Sequence, residues 1–159
     1  MLLKVNVRLL EKGPLRLEGE LDPVPFLEGF EDELVRFVSP IHHDLTVERQ
    51  GANLLLQGRI WAELECGCSR CLKTFPVQLE IGDFTALVPL EGEEAAKRDG
   101  DFADLTPPVR ADTFLALPTK PLCTPECRGL PQVATARDSR LGVKPNGASP
   151  WGPLDRLKL

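Results

Sequence analysis

LTVERQGANLLLQGRIWAELEC, residues 45–66, is the stretch that decides the fold. Leu45 and Val47 lead into a Gly51-Ala52-Asn53 turn, after which Leu54, Leu56, Ile60, Ala62 and Leu64 recur on one side of the chain. Leu55, Gln57, Arg59, Trp61, Glu63 and Glu65 fall on the other. A repeat of two is the period of a strand, whose successive side chains point to opposite faces. The stretch therefore predicts a long hairpin with one buried and one wet face. Val47, Leu54, Leu56, Ile60, Ala62 and Leu64 are the expected core.

Working outward, Phe75, Val77, Leu79 and Ile81 alternate with polar or small residues, and an apolar run follows from Phe84 to Leu90. These predict one or two further strands. Upstream, Leu3, Val5 and Val7 alternate with Lys4, Asn6 and Arg8, and the pattern returns after Gly13-Pro14 at Leu15, Leu17, Gly19 and Leu21. The two segments read as a pair of antiparallel strands. From Glu28 to Val38, Phe30, Leu34, Phe37 and Val38 have helical spacing, which predicts a short helix ending before Pro40. Residues 91–104 are acidic and poor in large apolar groups, so a mobile loop is expected there. From 131 to 159 Gly, Pro, Ser, Arg and Lys predominate, which reads as an extended, partly disordered C-terminal tail with its last residues docked. The expected fold is thus α+β, a mainly antiparallel, partly closed, barrel-like sheet with one or two short helices. Residues 1–130 form its single domain, with cysteine knuckles at 66–71 and 123–127.

At 42% hydrophobic and 27% charged residues, the chain has ample material for a core. A net charge of -5 weighs against the broad positive field that a phosphate backbone requires, so any nucleic-acid contact must be local or indirect. No apolar run reaches the roughly 18 residues of a membrane span, and Lys4 and Arg8 interrupt the first segment, so neither a span nor a signal peptide is expected. Five cysteines without a secretion signal then point to a reducing, cytoplasmic setting.

The cysteines carry the chemistry. Cys68-Ser-Arg-Cys71 is a CxxC at a strand end, and Cys123-Thr-Pro-Glu-Cys127 is a CxxxC between prolines. Each pair can curl around one ion, and two pairs complete the four thiolate ligands that tetrahedral zinc takes. One structural zinc per chain is the reading, with reduced structural thiols, a redox dithiol or an iron–sulfur cluster as alternatives. Cys66 is the spare, a small apolar residue on the Leu64 face or a substitute for Cys68. His42 and His43, an adjacent pair that could ligate a metal, read as solvent-facing loop residues, with a ligand role as the alternative. No Gly-rich phosphate loop, GxSxG elbow or HExxH is present, so no catalytic residue, enzymatic activity or small-molecule substrate is expected.

Cys68-Ser-Arg-Cys71-Leu72 with Phe75 resembles the CxRCL segment of the YceD family, the large ribosomal RNA subunit accumulation proteins. Asp101 to Leu105, Leu115-Ala116-Leu117-Pro118 with Pro121-Leu122-Cys123, Cys127 with Gly129-Leu130, and Trp151-Gly152-Pro153-Leu154 with Leu157 agree with it in order. The resemblance runs from about residue 1 to 159 and implies a bacterial or organellar factor needed for accumulation of large-subunit ribosomal RNA. It carries ligand positions to Cys68, Cys71, Cys123 and Cys127. Many members continue with a further cysteine after the Gly-Leu, where this chain has Pro131-Gln132, so a second metal site is not implied. The implied partner is a component of the large ribosomal subunit, met through a protein or through a small basic surface of Arg70, Lys73, Arg110, Lys120 and Arg128. The competing readings are a solvated basic turn, and a metal-stapled interaction module or dithiol redox protein unrelated to ribosomes.

Overall fold

The computed structural model describes residues 3–130. Its elements run β1 (Lys4–Asn6), a 3-10 turn (Leu9–Lys12), β2 (Leu15–Leu21), α1 (Pro23–Phe26), β3 (Val35–Phe37), β4 (Ile41–Gln50), β5 (Asn53–Gly67), β6 (Thr74–Pro89), β7 (Arg98–Asp99), β8 (Phe102–Asp104) and α2 (Thr106–Leu115).

The segment that decided the fold is its spine. One edge of β5 pairs with β6 from Asn53↔Pro89 to Gly67↔Thr74. The other edge is shared, with β4 opposite residues 53–61 and β3 opposite residues 64–66. β2 joins the far edge of β4, from Leu15↔Val47 to Leu21↔Ile41, and every pairing is antiparallel. The strand period does what it predicts. Val47, Leu54, Leu56, Ile60, Ala62 and Leu64 are all buried, while Trp61 lies half-exposed on the outer face. There it stacks on His42 with ring centroids 5.4 Å apart, under the Arg59 guanidinium at 4.8 Å.

The sheet is open, not the partly closed barrel expected. Closure would require β2 and β6 to meet, and they share no pairing. Instead a second sheet of order β1-β8-β7 adds Val5 and Ala103 to the core, Leu105 follows at the N-cap of α2, and α2 adds Val109. β1 and β2 therefore do not pair with each other as expected; β1 pairs with β8 and β2 with β4.

Two further expectations are corrected. The helix predicted over Glu28 to Val38 is absent, and Val35–Phe37 is strand β3. Asp32 explains the change: its Oδ1 accepts from Leu34 N at 2.7 Å and Val35 N at 3.0 Å, a local turn that launches an extended segment. Val35 and Phe37 then face Cys66 and Leu64 across β5. The acidic stretch expected as a mobile loop over 91–104 carries β7 and β8 in its second half, anchored by fully buried Ala103 and Leu105. Composition hides this, because one buried side chain within the strand, Ala103, and a second just after it, Leu105, are outnumbered by the carboxylates around them. The tail expected over 131–159 lies outside the described residues.

α2 is held at both ends. Thr106 Oγ1 accepts from the buried Leu3 N at 3.0 Å, and Phe114 stacks on Phe30 at 4.7 Å and meets Phe26 edge-on at 6.3 Å.

Candidate metal centre

The β5–β6 hairpin does not close in a two-residue turn. Between Gly67 and Thr74 the chain makes a knuckle in which Cys68 N donates to Lys73 O at 2.9 Å and Leu72 N donates to Cys68 O at 2.9 Å. Leu72 takes φ 61°, the left-handed conformation that reverses the chain just past the second cysteine. The strands on either side thus hold Cys68 and Cys71 at one tip of the sheet.

The segment after α2 is laced to this tip. Ser69 donates to Pro121 O twice, from its N at 2.8 Å and its Oγ at 3.1 Å. Arg70 Nη1 donates to Cys127 O at 2.9 Å, and Gly129, at φ 84°, passes close against Arg70. Cys127 N donates to Thr124 O at 3.1 Å, which closes the second knuckle.

These contacts bring the Sγ atoms of Cys68, Cys71, Cys123 and Cys127 within 4.8 Å of one another. Cys68 and Cys127 are 3.7 Å apart, as are Cys71 and Cys123, and none of the thiols is in a disulfide. A disulfide would need about 2.05 Å. Thiolates bound to zinc at about 2.3 Å in a tetrahedron lie about 3.8 Å apart, so the four sulfurs fit a single ion.

Electrostatics points the same way. Backbone N–H groups of Cys123 and Cys71 stabilise the Cys68 thiolate and lower its pKa to about 6. The Cys71 thiol, followed by burial, holds Cys123 up at about 12. Four sulfurs this close accept the first negative charge readily and resist the last, and a divalent cation removes that resistance.

Cys66 is elsewhere. It is fully buried in the core opposite Val35, and burial, then Asp32, raises its pKa, so it is no part of the four-thiol group. Of the basic residues, Arg70, Lys73, Lys120 and Arg128 are exposed on or beside the two knuckles. Arg110 is not among them: it sits on α2, over the Phe114 ring at 5.1 Å, and donates to the Glu28 carbonyl. The histidines are not loop residues but lie on β4, where His43 is buried and its Nδ1 has no hydrogen-bond partner among the described residues. Spacing gave no signal for His43, nor for the Ser69 contacts that lace the knuckles together.

Among the described residues no helix is long and apolar enough to cross a membrane. No curated protein and no solved structure matches the chain. The model of the family described as "Large ribosomal RNA subunit accumulation protein YceD" matches residues 56–158. That span is well over half of the chain and takes in most of β5, all of β6 and α2, and the four clustered thiols, and the chain belongs to the YceD family.

Proposed function

We propose that this protein is a non-enzymatic factor in ribosome biogenesis that promotes synthesis, processing or accumulation of large-subunit ribosomal RNA. One structural zinc, held by Cys68, Cys71, Cys123 and Cys127, staples its C-terminal segment to the sheet. The observation that carries the reading is the four-thiol cluster, two of whose edges are 3.7 Å and all of which lie within 4.8 Å, inside the span matched by the family model. Such edges suit a single ion, whereas a multi-iron cluster spaces its thiolates by its own inorganic core. Zinc has no redox chemistry of its own, which suits a staple.

With a net charge of -5, the protein meets the ribosomal precursor locally. The knuckle tip supplies the means, since Lys73, Lys120 and Arg128 are exposed around it. Arg70 has a second task, bonding Cys127 O, and is not free to act only as a phosphate contact.

Depletion of the protein in its native cell tests the reading. Large-subunit RNA and free large subunits should fall while small-subunit RNA is spared, and re-expression should restore them. Re-expression of a Lys73→Glu, Lys120→Glu, Arg128→Glu variant should fail to restore them although it folds and holds metal. An unchanged ribosome profile under full depletion would refute the ribosomal role. Elemental analysis of protein purified without added metal should give about one zinc per chain, lost in Cys68→Ser and Cys123→Ser.

A further inference from the structure

β2 is paired on one edge only. Its seven residues bond to β4, and among the described residues no backbone hydrogen bond reaches its other edge. An unpaired strand edge offers a row of N–H and C=O groups to any extended chain that can approach. Among the described residues the approach is open: a cleft of about 790 Å³ separates the β2 edge from the small sheet. That volume is in the range of true binding clefts, about 300–1,000 Å³.

The cleft has a sided chemistry. Its inner wall is apolar, from Leu3, Leu17, Leu21 and Phe102. Its floor is the ring of His43, which is 5% exposed and whose Nδ1 has no partner among the described residues. Gly19, opposite His43 in the pairing, keeps the floor flat, because a Cβ there would press on the ring at 3.3 Å. The outer rim is acidic. Glu18 and Glu20 are exposed, and Glu18 stands opposite Asp44 in the pairing; Arg16, bound to Asp44 through two bonds of 2.7 and 2.8 Å, also lies 3.5 Å from Glu18, and His42 Nδ1 lies 3.4 Å from Glu20. At the mouth Lys4 is matched by Asp99 at 3.5 Å.

We propose that the free edge of β2 is a docking site for an extended segment of a partner polypeptide in which apolar and basic residues alternate. Added as a further strand, the segment exchanges backbone hydrogen bonds with β2, inserts its apolar side chains over Gly19 and His43, and sets its lysines or arginines against Glu18 and Glu20. A second copy of this chain does not fit the same place. Its own β2 edge is flanked by its own small sheet, and the cleft is walled by β1, β7 and β8, so the occupant must be a single narrow strand. The site is remote from the thiol cluster in sequence and shares no residue with it, so it stands independently of the zinc and ribosomal readings.

The test uses the full metal-loaded chain and a capped heptapeptide alternating valine and lysine. Amide hydrogen exchange of β2 should slow at least tenfold at saturating peptide. A peptide alternating valine and glutamate, and a valine–lysine peptide N-methylated at every second residue, should leave it unchanged. Glu18→Lys with Glu20→Lys, two exposed changes that leave the core untouched, should weaken binding at least tenfold, with sedimentation still showing the chain's own state. Three results would overturn the proposal: unchanged β2 exchange at saturation, equal protection by the glutamate peptide, or β2 edge amides already protected in the free chain. The last would mean that the chain or a second copy fills the edge itself.

Discussion

Gly58 faces the tightest spot in the sheet. At φ 152° it lies where β5 meets β4, and a Cβ would stand 2.1 Å from Asp44 O and 2.9 Å from Leu45 Cα. Both obstacles are backbone, so neither can swing aside. Gly58→Ala should therefore cost about 3 kcal/mol or more in urea denaturation, as backbone clashes in a core do. A loss under about 1 kcal/mol would mean that β4 and β5 part easily there. His43 makes a different prediction. Burial lowers its pKa, the charge on His42 acts in the same direction, and Asp44 opposes them. The unfolded chain, with a pKa of about 6.5, takes up the proton first, so stability is full above that value and falls as the pH drops through it. Gly19 and Ile60, its cross-strand neighbours, offer no group to reverse the sign. Urea midpoints from pH 7.5 to 5 should decline in the wild type and decline less in His43→Leu. Equal slopes would assign the pH dependence to other groups.

Among elements, one side chain ties the start of α2 to the residue that precedes β1. Thr106 Oγ1 accepts from Leu3 N in a buried setting, so Thr106→Val leaves that N–H without a partner and should cost about 1–3 kcal/mol. Thr106→Ser, which keeps the oxygen, should recover most of it; if both variants lose equally, the methyl group and not the bond matters. How legible these elements are follows from their chemistry. The β4–β5 hairpin was readable because its buried positions are large and strictly alternate. Residues 28–38 mislead because Leu34, Phe37 and Val38 satisfy a helical period, while the deciding contacts are Asp32 on nearby N–H groups and Cys66 across the sheet. α2 carries Pro107 and Pro108 in its first turn, where proline removes no needed donor, so the two prolines are compatible with the helix. The cysteine pairs were legible from spacing alone, yet the lacing by Ser69 and Arg70 was not, since it joins residues more than 50 positions apart.

At the scale of the molecule, the thiol cluster joins the tip of β5–β6 to the segment beyond α2, and the sheet has a core of its own. Removing the metal should therefore loosen rather than unfold the protein. A cross-link spanning about 50 residues contributes about 4 kcal/mol through loop-closure entropy, which bounds the effect. A strong chelator should lower the thermal midpoint and expose the segment around residues 116–130 to protease, while β4 and β5 amides stay slow to exchange. Cys68→Ser should reproduce this without chelator. Global unfolding on chelation would show that the core alone cannot hold the sheet. Acid should act as the chelator does, because thiolates must be deprotonated to hold the ion.

The separation of the two cysteine pairs also sets a clock. Cys71 is synthesised 52 residues before Cys123 and 56 before Cys127, so the first knuckle leaves the ribosome while the second does not yet exist. At roughly 5–20 residues per second, the early pair waits about 3–11 s for its partners. During that interval the nascent chain carries only two of the four clustered thiols, at the end of a hairpin. On the function proposed above, the staple would close only once Cys127 has emerged, and a filled centre would then report that translation has passed that point.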